Sequence, residues 1–396
     1  MGLILNDLKN ACELEHVCDY VNNRTTSSMN YISTENMLPN KGGISESTII
    51  PPGTTTEYKI GDILISNIRP YFQKIWCADR CGGCSADVLC IRAKENTDSK
   101  YLYYLLSQQA FFDYVMSGAK GCKMPRGDKK QIMQWPVNIP AIDVQKKVVA
   151  ILSSLDNKIR LNRRINDNLE QQAQALFKSW FVEKPNPQWT KGSLSDIASF
   201  VGGYSYKGDE LVDSSNTGMA TIKNYNRSGG FKTDGFKAIN PSDKVKNAQY
   251  AELFEILVAH TDLTQNAEVI GNAELVLSLG EYNKIIFSMD LVKVLPSSSF
   301  PYRFLIAAML KNKLFKGHCQ GYVNGTTVLH LNKKALPEYK VMIPTDTEAK
   351  KMNEILGGYY KRMSENLKEN DMLEQLRDTI LPKLMSGELK INDLNC

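Results

Sequence analysis

Three groups of residues in this chain have types and spacings that could do chemistry. Cys77, Cys81 and Cys84 form a C-x3-C-x2-C pattern, followed by Cys90. That spacing suits an iron–sulfur loop, and four thiolates would suit tetrahedral zinc. Asn186-Pro187-Gln188-Trp189 has the form of the Asn-Pro-Pro-aromatic loop used to methylate adenine N6. His260-x-Asp262, with His318 and His330 beyond, could serve a metal or a triad. Each group lacks its complement. Cys77 and Cys90 lie in apolar runs where cysteine packs as a small hydrophobe, so Cys81-Gly82-Gly83-Cys84 reads as a hairpin turn between two strands. A methylating enzyme also needs a glycine-rich cofactor turn, and Phe200-Val201-Gly202-Gly203 is a poor one on the wrong side of Asn186. The four histidines are scattered. No GxxxxGK[ST] phosphate loop is present. The chain reads as a non-enzyme with no metal or cofactor of its own. The alternative is a zinc or iron–sulfur enzyme built on the Cys77/Cys81/Cys84 loop.

Binding chemistry is better represented. Lys120, Lys123, Arg126, Lys129 and Lys130 crowd GAKGCKMPRGDKK, opposed only by Asp128. Lys223, Arg227, Lys232 and Lys237 alternate with Asn224, Tyr225, Asn226 and two glycines. Arg, Lys and Asn match phosphates and base edges, and glycine lets a backbone come close. The candidate contacts to double-stranded DNA are Asn36, Asn40, Lys41, Asn67, Arg69, Lys120, Lys123 and Arg126 in the first half. In the second half they are Lys223, Asn224, Asn226, Arg227, His260, Asn324 and Thr326. With 48 Lys and Arg against 43 Asp and Glu, the net charge is only +5, so any polyanion site must be local. Nine cysteines and an N-terminus without a basic start point to a reducing cytoplasm. No apolar run approaches the roughly 20 residues that cross a bilayer.

The elements that must position these loops occur twice. Val148, Leu152, Leu155, Ile159, Asn162, Asn166, Leu169, Ala173, Leu176 and Trp180 form a heptad seam, apolar except for two central asparagines. Met352, Leu356, Tyr359, Met363, Asn366, Asn370, Leu373, Arg377, Ile380 and Leu384 repeat it, each 204 residues further on. In an antiparallel pair Asn162 faces Asn370 and Asn166 faces Asn366. About 38 helical residues give a rod of roughly 55 Å. Upstream, Gly121 to Leu152 aligns without a gap on Gly325 to Leu356, and residues 34–44 match 221–231. Strands are expected at Lys59 to Ser66, Lys74 to Ala78, Val88 to Arg92 and Val137 to Ile139, with a helix at Lys100 to Met116. The second copy repeats them at Leu253 to Ala259, Ile285 to Phe287, Leu291 to Leu295 and Glu338 to Ile343, with a helix at Pro301 to Lys316. Glu183 to Thr190 reads as a polar, proline-containing linker.

ALFKSWFV at 175–182, LPKLMSGEL at 381–389 and YISTENMLPNKGGI at 31–44 bring the chain to a known family. With the isoleucine-proline lead into each long helix, it resembles the specificity subunit of type I restriction–modification enzymes over nearly its full length. Ala349 departs from the pattern that Gln145 keeps. The resemblance implies an α+β, mixed α/β architecture of two pseudo-repeated target recognition domains separated by two long antiparallel coiled-coil helices. The expected bounds are 1–143 for recognition domain 1, 144–182 for the first helix and 183–347 for the linker and recognition domain 2. The second helix would span 348–386 and a tail 387–396. Each domain would read one half of an asymmetric bipartite DNA site. The helices would dock methyltransferase subunits, two of them, with a restriction/translocase subunit attached through these. S-adenosylmethionine, ATP and magnesium would belong to those partners alone.

Overall fold

A computed structural model describes residues 12–26, 29–47, 53–227, 229–264 and 266–389. The chain forms two compact units. One runs to Asn157 and resumes at Leu373, and the other is Lys158–Met372. Both divisions fall inside long helices, Ile142–Lys178 and Asp346–Ser386.

In the first unit, Cys18–Tyr20, Val88–Ala93, Ile63–Ser66 and Ile75–Cys77 form an antiparallel sheet in that order. All four residues of the central strand Ile63–Ser66 are buried, as in a sheet covered on both faces. Alternation decides what covers them. Ile63, Ile65, Leu89 and Ile91 pack with Tyr101, Leu102, Phe111, Val148, Leu152, Leu381 and Leu384. Leu64, Trp76, Val88 and Cys90 pack on the other side with Tyr58 and Cys84.

Gly82–Cys84 corrects the hairpin expectation. It is a strand of a second sheet, paired with Thr55–Tyr58, while Ile75–Cys77 pairs with Ile63–Ser66. A Cβ on Gly82 would sit 2.6 Å from the Tyr58 hydroxyl oxygen, so this crossing requires glycine. Cys84 and Cys90 are buried and Cys81 is exposed. Among the described residues no cluster of three or more His, Cys, Asp or Glu could hold a metal ion.

The second unit repeats the principal sheet in the order Ala198–Gly202, Leu291–Pro296, Ile256–Ala259, Ala273–Leu275, again antiparallel. Beside it, Thr217–Ala220 runs parallel to Lys284–Phe287. Each single helix expected from periodicity is two helices, Ser99–Leu106 with Gln109–Ser117, and Arg303–Leu310 with Lys313–Gln320. In the second case Asn312 is the cause. Its Oδ1 accepts from the Leu314 and Phe315 backbone N–H at 2.9 and 3.1 Å, capping a new helix inside the apolar run.

Both long helices are fastened to the domains preceding them, by different residues. Gln145 is fully buried. Its Oε1 accepts from Asp98 N at 2.8 Å, and its Nε2 donates to Asn96 O and Pro140 O at 3.0 and 2.8 Å. Ala349 cannot do this, and Asn353 one turn later accepts from Phe304 N and Leu305 N at 2.9 and 3.2 Å. The 183–190 segment is also tied down. Asn186 and the Trp189 indole donate to Glu348 at 3.0 and 2.9 Å, and Trp189 is buried against Phe181.

Within the second unit the two helices run antiparallel. Asn162 Nδ2 donates to Asn370 Oδ1 at 3.0 Å, and Asn366 Nδ2 to Asn166 Oδ1 at 2.8 Å. All four side chains are buried. Asn162 Nδ2 also reaches Glu369 at 2.7 Å, and Asn166 Nδ2 reaches the Met363 carbonyl at 3.1 Å. The Asn162 and Asn366 Oδ1 atoms are buried without a partner, so this layer contributes register more than stability. Within the first unit Arg377, at a seam position, pairs with Asp156 at 2.9 Å, and the Tyr104 hydroxyl donates to the same carboxylate at 2.6 Å.

Candidate nucleic-acid interface

Two loops in equivalent places carry the basic and amide side chains. In the first unit the chain from Ser33 closes through a Met37–Ile44 bridge, and Asn36 Oδ1 accepts from Ser33 N at 3.2 Å. In the second unit it closes through a Tyr225–Phe231 bridge, and Asn224 Oδ1 accepts from Thr221 N at 2.9 Å. Asn36 thus corresponds to Asn224, one residue out of step with the ungapped sequence match. Asn36 and Asn224 are both candidate DNA contacts, and both side chains turn inward. The amides are buried and occupied, since Asn36 Nδ2 donates to Glu46 O and Asn224 Nδ2 to Lys232 O. They pin the loops, and the residues beyond them are presented.

Those residues differ between the units. Asn40 is exposed, whereas Lys41 is mostly buried, its ammonium 3.8 Å from the Asp378 carboxylate of the second long helix. Burial lowers the Lys41 pKa, and Asp378 opposes that shift. Lys41, a candidate DNA contact, thus has its ammonium turned toward the long helix. In the second unit Lys223 and Arg227 are exposed, Arg227 pairing with Glu268 at 3.0 Å, and Asn226 is half-buried.

Behind the second loop lies a buried charge network. Gly230 N donates to Glu274 Oε1 at 2.6 Å, and the Asn272 amide donates to Asn226 O at 3.3 Å. The other Glu274 oxygen pairs with the Lys311 ammonium, which also meets Glu170 of the first long helix at 3.2 Å. Lys311 and Glu274 side chains are 8 and 6 % exposed. Burial pulls the Lys311 pKa down, but the charges of Glu274 and Glu170 outweigh it and the net shift is upward. Sequence inspection missed both residues, because a Lys or Glu in an apolar run carries no mark of its buried partner.

A third loop completes the first unit's surface. Lys120 and Arg126 exchange backbone hydrogen bonds at 3.0 Å, closing a hairpin with Lys123 and Met124 exposed at its tip. Arg69 N donates to Pro125 O at 2.8 Å, so this hairpin is joined to the loop carrying Asn67 and Arg69, both half-buried. A Cβ on Gly127 would lie 2.9 Å from Asn67 Oδ1, a close approach that only glycine permits. Lys120 pairs with Asp128 at 3.0 Å and Arg126 with Asp87 at 3.1 Å. His260 occupies the position equivalent to Asn67, after strand Ile256–Ala259; burial chiefly, then His330 and Lys333, lower its pKa. Asn324 and Thr326 lie exposed after Val323.

The type I restriction modification DNA specificity domain matches this sequence twice, at residues 10–171 and 186–375. The MjaIX specificity subunit of Methanocaldococcus jannaschii is 23% identical over 322 residues, which cover 76% of this chain and 71% of the relative. The HindI specificity subunit of Haemophilus influenzae is 32% identical over 175 residues, 42% of this chain and 38% of the relative. The S subunit of a type I restriction–modification system from M. genitalium shares the fold, with a TM-score of 0.51 at 16% identity over 97% of this chain and 98% of the other. Two matched regions, each taking in a globular domain and most of the long helix after it, place this chain in the type I restriction modification DNA specificity family.

Proposed function

We propose that this chain is the sequence-reading, non-catalytic subunit of a type I restriction–modification complex. Each globular domain reads one half of an asymmetric bipartite site in double-stranded DNA. The paired long helices set the spacing between half-sites and dock methyltransferase subunits, two per chain. Those subunits hold S-adenosylmethionine, and a restriction/translocase subunit bound through them uses ATP and magnesium. The complex works in the cytoplasm, on the cell's own DNA. The observation carrying this reading is the pair of loops pinned by Asn36 and Asn224, one scaffold built twice with different side chains beyond the pin. A shared scaffold with unlike tips is what reading two unlike half-sites requires.

The basic hairpin gives a direct test. Removing the charge at its tip and one at its base, Lys123→Ala with Arg126→Ala, removes up to two phosphate contacts. Affinity for cognate duplex should fall roughly tenfold, and the slope of log affinity against log salt should shrink by about 1–2. Unchanged affinity and slope would remove this hairpin from the interface.

A further inference from the structure

We propose that Tyr71 and Phe72 form an aromatic wedge that stacks against, and partly opens, a base step in the half-site read by the first domain. This rests on the DNA-reading function above and adds residues and a mode of contact to it.

The two rings are 49 and 38 % exposed, on a 3-10 turn, Pro70–Phe72, projecting after the central strand Ile63–Ser66. Their centroids lie 4.7 Å apart with the planes tilted by 54°, so they present one contiguous apolar edge. Among the described residues Tyr71 and Phe72 are the only aromatics in the group of exposed large hydrophobic side chains, and this turn is held rigid. Arg69 and Gln73, flanking it, have φ of 52° and 49°, and Asn40 and Lys41 alongside have 54° and 59°. No glycine relieves any of the four, and non-glycine residues persist in this region only where surrounding contacts impose it. Those contacts are present. Phe72 O accepts from Asn40 N at 2.8 Å, Gln73 O from Lys41 N at 3.0 Å, and Arg69 N donates to Pro125 O at 2.8 Å. The wedge is thereby fixed to the amide loop on one side and to the basic hairpin on the other.

Charge selects the partner. The Lys74 ammonium sits 5.9 Å from the Phe72 ring centroid, and Lys123 stands exposed at the tip of the attached hairpin. A rigid apolar edge among cations matches stacked bases between phosphates, where aromatic contacts add affinity without regard to charge. The corresponding stretch of the second unit, after strand Ile256–Ala259, carries Thr261, Asp262 and Leu263 and no aromatic pair. The wedge thus belongs to one half-site.

The test uses the full chain assembled with its methyltransferase subunits and a cognate duplex labelled at both ends for energy transfer. Tyr71→Ala with Phe72→Ala should weaken cognate binding about ten- to a hundredfold with an unaltered salt slope, and should abolish the end-to-end approach that wild type induces. Tyr71→Phe should retain both. Wild-type binding with affinity and bend unchanged in the double variant would overturn the wedge and leave the DNA-reading function standing. Failure of wild type to bind any duplex specifically would overturn that function itself. Loss of methyltransferase copurification in the double variant would make the pair a protein-docking element and also overturn the wedge.

Discussion

Replacing Lys311 by methionine should lower the stability of the second unit by about 3–5 kcal/mol, the cost of leaving buried carboxylates without their cation. Methionine keeps the volume, so no cavity confuses the result. Glu274 and Glu170 then confront each other without the ammonium, and the Gly230 amide remains as partner to one of them. The thermal midpoint should fall by roughly 10 °C at neutral pH. The deficit should also depend on pH with a definite sign. Without Lys311 the cost of burying these two carboxylates together is relieved when one of them takes up a proton. Proton uptake favours the folded variant as pH falls, so the gap between variant and wild type should narrow from pH 7 to pH 5. In wild type the raised Lys311 pKa means that its contribution is complete below pH 10 and is lost only above. A deficit that is small, or flat across that range, would show that the network is solvated. Because Glu274 holds Gly230 N, deuterium exchange of the 222–236 loop should rise in the variant.

The asparagine layer should give a smaller stability effect and a larger functional one. Asn162→Leu alone strands the Asn370 Oδ1 acceptor and removes a donor from Glu369, a loss of about 1–3 kcal/mol. Adding Asn370→Leu removes the stranded acceptor, so the double variant should recover most of the loss, with a coupling of about 1–2 kcal/mol in a double-mutant cycle. Replacing Asn166 and Asn366 by leucine as well leaves an apolar seam, which no longer distinguishes neighbouring registers, since the polar layer is what penalises a slip of one turn. The methylated motif should then tolerate altered spacer length between its halves. Additive single losses, or a quadruple variant with unaltered spacer discrimination, would mean that the register is set elsewhere.

These two sites differ in how far the sequence exposes them. The asparagines stand out because they interrupt an apolar period at the same places in both copies, and an internal repeat supplies its own comparison. The four seam positions, the isoleucine-proline leads and the principal strands are periodic, and periodicity is local information. What was not legible depends on non-local contacts. Asn312 looks like one more residue in an apolar helix until its side-chain amide oxygen is seen to cap the next one. Gly82 and Gly83 look like a turn, although Gly82 is there because Tyr58 crosses above it. Asn36 and Asn224 have the right chemistry for adenine, but their amides are occupied within their own loops, and only burial reveals that. Lys41 is basic and in the right loop, yet Asp378, more than 300 positions away, claims it. Residue type singles out the loops, whereas hydrogen-bond partners decide which of their side chains are already occupied.

The central claim is that each domain reads one half of a bipartite site. The measurement that tests it most directly exchanges residues 183–347 for those of a family member with a different specificity, expresses the hybrid with its methyltransferase, and sequences the methylated adenines in host DNA. The account predicts a hybrid motif, with one half unchanged, the other half replaced and the spacer retained. A motif changed in both halves, or unchanged in both, would contradict it.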